Sequence, residues 1–114
     1  MNIKTLLDFS KSEFMDTWTR ITDEIKELTN KKNPSCANNR VCFKFYFSGH
    51  GCTFKGSTML TNMVMKEDDN GWYIPIEEML RKLSLGRNVS ISAILDCCRN
   101  TIEAKSQQDK TIPD

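Results

Sequence analysis

Two short apolar segments, residues 41–47 and 89–95, most constrain what this chain can fold into. The first is rich in aromatics and nearly continuous in apolar character, the pattern of a strand covered on both faces, and the second reads as another buried strand. Between them Pro75 suits the first turn of a helix that carries Ile76, Met79, Leu80 and Leu83 along one face, and Gly86 suits its stop. Strand, helix, strand in that order favours a parallel pair joined by a crossover, hence an α/β sheet. Residues 56–66 are weakly patterned and read as a short hairpin, and Asp68, Asp69, Asn70 and Gly71 form a strong turn signal.

A helix is expected ahead of the first strand, from about residue 13 to residue 29. Phe14, Trp18, Ile21, Ile25 and Leu28 recur at steps of four and three, placing them on one face. Ser10 and Glu13 have capping-box spacing. Lys31, Lys32, Asn33, Pro34 and Ser35 make a polar loop, and the chain turns polar again from Asn100 onward. No internal repeat is present.

Length and composition narrow the function classes. With 114 residues the chain is one domain or part of one, and a chain of this size buries roughly two-thirds of its unfolded surface. Hydrophobic residues at 39% exclude a disordered chain, and a net charge of +1 with scattered basic residues excludes a phosphate-binding stripe, so no nucleic-acid partner is expected. The aromatics of residues 41–47 lack the glycine-rich signature of a base-stacking platform and are read as core. No apolar run is long enough to span a membrane, and the first residues carry no secretory h-region. Five cysteines, an odd number, argue against a disulfide framework and for a reducing compartment, so a cytoplasmic location is expected.

Chemistry gathers just past the ends of the two strands. His50, the sole histidine, follows the first within Ser48-Gly49-His50-Gly51, which reads as a tight turn closing that strand. Asp96 and the pair Cys97-Cys98 follow the second. In open parallel sheets ligands bind outside the carboxyl ends of the strands, so both groups fall on the functional edge. A thiol is only a few per cent ionised at neutral pH, and an imidazole beside it accepts its proton or stabilises the thiolate. The Gly51 amide is suited to hold a developing oxyanion.

Phe45-Tyr46-Phe47-Ser48-Gly49-His50-Gly51 resembles the Tyr-(Ser/Ala)-Gly-His-Gly block of metacaspases, paracaspases and bacterial caspase-like peptidases, and Ile94-Leu95-Asp96-Cys97-Cys98-Arg99 resembles their Leu-Asp-x-Cys block. Residues 111–114 are similar to the segment that lies beyond the nucleophile in paracaspases. The resemblance covers roughly residues 11–114 and implies a three-layer α/β/α sandwich with a mostly parallel sheet. It implies His50 as general acid and base, Cys98 as nucleophile, the Gly51 and Cys98 backbone amides as oxyanion hole, and Asp96 lining the S1 pocket. A carboxylate there favours cleavage after Arg or Lys. The family's opening strand and its later strands find no match, so a partial catalytic domain, truncated at both ends, is expected across residues 1–114. The partner expected is a polypeptide substrate. The alternative is an inactive module that binds a homologous caspase-like subunit.

No cofactor or metal is expected. Cys36, Cys42, His50 and Cys52 have irregular spacing for zinc, with Cys42 inside a strand. Met59, Met63 and Met65 read as packing or loop residues, and Asp68 and Asp69 are too few for a calcium site. A disulfide between Cys97 and Cys98 is disfavoured against two free thiols.

Overall fold

The computed structural model describes residues 3–36, 38–62, 71–97 and 100–101. Met63, Met65, Asp68, Asp69 and Asn70 lie outside the described residues. Residues 1–39 and 40–114 form separate compact units. The first is built on helix α1, Lys11–Leu28. The expected capping box is present: the Glu13 amide donates to Ser10 Oγ (3.1 Å) and the Ser10 amide donates to Glu13 Oε1 (3.3 Å). Phe9, just before the cap, lies 5.5 Å from the Phe14 ring, completing a hydrophobic staple. Phe14 stacks in turn on Trp18 at 6.0 Å. Phe14 and Ile25 are buried, Trp18 and Ile21 half-buried, and Leu28, at the helix end, is exposed. The last turn is closed by side chains: Thr29 Oγ1 donates to the Ile25 carbonyl (2.7 Å) and Asn39 Nδ2 to that of Leu28 (3.0 Å).

The second unit contains β1 (Val41–Phe54), β2 (Ser57–Thr61), β3 (Tyr73–Ile74), α2 (Ile76–Ser84), β4 (Val89–Cys97) and β5 (Asn100–Thr101). The sheet order is β3-β2-β1-β4, with β5 also on β1. β1 pairs in parallel with β4 and β5 and antiparallel with β2, and β2 pairs antiparallel with β3, so the described sheet is mixed. The β1–β4 pair is the predicted parallel pair, and β5 adds a second parallel contact. The Val41 amide donates to the Asn88 carbonyl (3.0 Å), and the Arg40 guanidinium donates twice to Ser90 Oγ (3.2 and 2.9 Å), tying the strand starts together.

β1 departs from expectation at its far end. Ser48-Gly49-His50-Gly51 is not a turn but continuous strand. Its backbone stays extended because it always has a partner: Gly49 faces Cys97 of β4, and His50 and Gly51 face Thr61 and Leu60 of β2. Ladder hydrogen bonds on both flanks outweigh the local turn preference of the two glycines. The reversal comes later, at Lys55 (φ 50°) and Gly56 (φ 76°), where two consecutive positive φ values make a tight hairpin turn.

α2 starts after Pro75 as expected. The Thr58 amide of β2 donates to Glu77 Oε2 (2.9 Å), anchoring the first turn of the helix to the sheet. Beyond the other end Gly86 adopts φ 69°, and Arg87 Nη1 donates to the Leu83 carbonyl (3.1 Å), which satisfies a terminal acceptor. Leu60, Ile74 and Ile76 are fully buried, each contributing about 1.5–3 kcal/mol of apolar burial. Cys52, Phe54, Met59 and Tyr73 form a buried cluster beside them.

The strand expected to be covered on both faces, β1, is not. Along β1, Phe43 and Phe45 are half-buried and Phe47 is buried, while Cys42, Lys44, Tyr46 and Ser48 between them are exposed. Tyr46 and its register partner Ile94 are 65% and 61% exposed. A strand's side chains alternate between faces, so a single covering layer buries every second residue.

Candidate active site

The site is built where β1 exchanges one partner for another. Parallel pairing with β4 runs from Val41↔Val89 to Gly49↔Cys97, a constant offset of 48 residues. β5 resumes the same offset at Cys52↔Asn100 and Thr53↔Thr101. On the other flank, antiparallel pairing with β2 begins at His50↔Thr61. His50 therefore occupies the first position after the β1–β4 ladder ends, and it is exposed. Its separation from Cys98 in the sequence equals the offset that the ladder keeps on both sides of it. Cys98 itself lies outside the described residues, as do its backbone amide and Arg99.

The remaining predicted residues sit close by. Gly51 is buried and faces Leu60. Asp96 is exposed on β4 and is the partner of Ser48, two residues before His50. Register partners share a face and strand faces repeat every second residue, so Asp96 and His50 emerge on the same side, about 8 Å apart by strand rise and spacing. Cys97 is half-buried opposite Gly49. An added Cβ at Gly49 would lie 2.8 Å from Phe47 Cζ, so the absence of a side chain there is what lets the Phe47 ring lie against the strand.

The cysteines near the site differ in character. Burial, and secondarily the charge on Cys97, push the Cys52 thiol up to about 11, so it is a neutral, packed group at physiological pH rather than a nucleophile. Cys42 is eight residues from His50 along one continuous strand, roughly 26 Å at 3.3 Å per residue. That distance rules out an ion shared by those two side chains. Among the described residues no group of three or more His, Cys, Asp or Glu is arranged to hold a metal, and no helix is long and apolar enough to cross a membrane.

Thr61 escaped the sequence reading. It is buried to 5% exposure and stands opposite His50 on β2. The missing signal was the hairpin turn: Lys55-Gly56 lacks the Asn-Gly or Asp-Gly pair that marks such turns most strongly, and without it the β2 register cannot be counted.

A family model described as the caspase domain matches residues 3–114. No curated protein and no solved structure matches the chain.

Proposed function

The chain belongs to the caspase domain family, whose activity is that of cysteine peptidases acting on polypeptides, and from that premise we propose that it cleaves peptide bonds by acyl transfer through a His50–Cys98 dyad. The single observation that best supports this reading is the shared offset: His50 and Cys98 are 48 residues apart, the same separation that relates Gly49 to Cys97 and Cys52 to Asn100. In the proposed reaction His50 takes the Cys98 proton, and the thiolate attacks the carbonyl carbon. The Gly51 and Cys98 amides hold the oxyanion. The C–N bond then breaks with His50 protonating the leaving amine, and water activated by His50 attacks the thioester, breaking the C–S bond to release the carboxylic acid and return the Cys98 thiol.

Asp96 is the residue proposed to select Arg or Lys before the scissile bond. Its exposure and its place on the His50 side of β4 favour this, because a guanidinium pairs with a carboxylate in bidentate geometry. The reading extends to kinship with metacaspases and paracaspases, to a three-layer α/β/α architecture with a mostly parallel sheet, and to a cytoplasmic setting that keeps the thiols reduced.

A second reading, a non-catalytic caspase-like subunit that binds a homologous peptidase, is favoured by one observation. The register partners Tyr46 and Ile94 are 65% and 61% exposed on the open sheet face, a surface that suits a protein partner. An arginine-containing peptide carrying a thiol-reactive warhead separates the two. Labelling at Cys98 that is lost in His50→Ala supports the dyad. An unlabelled, folded chain that binds a caspase-like subunit supports the second reading, and cleavage that persists in Cys98→Ala rejects the mechanism.

A further inference from the structure

His50 lies between two unlike flanks. On one side, across the end of the parallel ladder, are Cys97 and Asn100; on the other is β2, with Thr61 directly opposite. Paired residues on neighbouring antiparallel strands bring their Cβ atoms to about 4.5–5.5 Å. Thr61 is a β-branched residue, stiff about χ1, and is only 5% exposed. Its place is held from three directions. The two-residue turn at Lys55 and Gly56 sets the β1–β2 register, Thr61 pairs with Tyr73 of β3, and the next residue, Asn62, accepts the Trp72 amide at 2.8 Å through Oδ1. His50, by contrast, is exposed, so solvent does not restrict its ring.

We propose that Thr61 is a positioning residue for His50, filling the β2 side of the imidazole so that the ring is turned toward the flank of Cys97 and Asn100. This deepens the proposed dyad and rests on it for its catalytic consequence, but not for its structural one. A histidine free to lean over either neighbour would spend part of its time away from the nucleophile's flank. Losing one rotamer well to a branched neighbour removes that population. The shape of Thr61 rather than its hydroxyl carries the effect.

His50 is the sole histidine, so selective histidine labelling isolates its Hα and Hβ signals for NMR. In the full chain, the Hα–Hβ couplings of His50 are expected to report one dominant χ1 rotamer in the wild type and in Thr61→Val, and rotamer averaging in Thr61→Ala. Thr61→Ser, which removes only the methyl and retains the hydroxyl, is expected to average as well. Against an arginine peptide, Thr61→Ala is expected to lower kcat roughly ten- to hundredfold with KM little changed, and Thr61→Val to restore it. Unchanged His50 couplings in folded Thr61→Ala, or in Thr61→Ser should the alanine variant not fold, overturn the proposal. If the wild-type chain cleaves no peptide, the dyad reading fails while the couplings still decide the role of Thr61.

Discussion

Gly49 and Cys97 face one another as the last partners of the parallel β1–β4 ladder, and the next residues along the chain are His50 and Cys98. His50 is thus the first residue of β1 beyond its ladder with β4, and Cys98 follows the last residue of β4 in the chain. The offset resumes at Cys52↔Asn100, so the spacing of the two motifs matches the register that β1 keeps with β4 and β5.

The dyad predicts a non-additive pattern in mutant kinetics. His50→Ala is expected to lower kcat by about 10²–10⁴-fold, and Cys98→Ala to reduce it to background. The double variant should be no worse than Cys98→Ala alone, because the two residues act as a unit. His50 is exposed, so thermal melts of His50→Ala should stay within about 0.5 kcal/mol of wild type. Fluorogenic arginine peptides and calorimetry check both parts.

Asp96 predicts a change in selectivity. Asp96→Asn retains shape and removes the charge, and is expected to lower kcat/KM for arginine substrates by roughly ten- to a hundredfold while leaving small neutral residues unaffected, since a charge-assisted pair contributes about 1.5–3 kcal/mol. A peptide library cleaved by both variants reads this directly. An unchanged arginine preference would remove Asp96 from the specificity site.

Cys52 predicts an alkaline limit to stability. Its folded value of about 11 lies above the 9.0 of an unperturbed thiol, so the native state holds a proton that the unfolded chain releases first. The resulting stabilisation is complete below pH 9 and declines as the pH rises toward 11. Urea midpoints at pH 8, 9 and 10 should fall along this course and flatten in Cys52→Ala. In native alkylation, exposed Cys42 should react before buried Cys52.

Gly49 predicts a packing defect beside the site. In Gly49→Ala the new methyl meets the Phe47 ring at 2.8 Å, and Phe47, buried to 8% exposure, must move. A cost of about 1–2 kcal/mol is expected from such overpacking, read as a lower urea midpoint at constant slope. Phe47→Leu in the same background should recover part of it.

Much of the fold was legible because its signals are local. The Ser10–Glu13 capping box marks the start of α1, Pro75 and Gly86 bracket α2, and the two apolar runs become the parallel pair of β1 and β4. Each depends on residues within a turn or two, where propensity and capping chemistry act. Asp96 lies near the end of β4, where the motif is read, whereas His50 lies within β1, which runs on to Phe54. The burial of alternate residues was not legible, because a continuous apolar run such as Phe45-Tyr46-Phe47 does not state how many layers cover it.

By itself the sequence determined the two helices, the parallel strand pair and their order along the chain. Tertiary structure alone decided that Ser48-Gly49-His50-Gly51 is strand and not turn, that Lys55-Gly56 is the true reversal, and that Thr61 stands against His50. The physical reason is hydrogen bonding between strands distant in the chain. The glycines around His50 leave both extended and turned backbones open, and the choice falls to whichever conformation gives every amide and carbonyl a partner. Here β4 on one side and β2 on the other supply those partners, and they hold His50 at the junction of the two ladders.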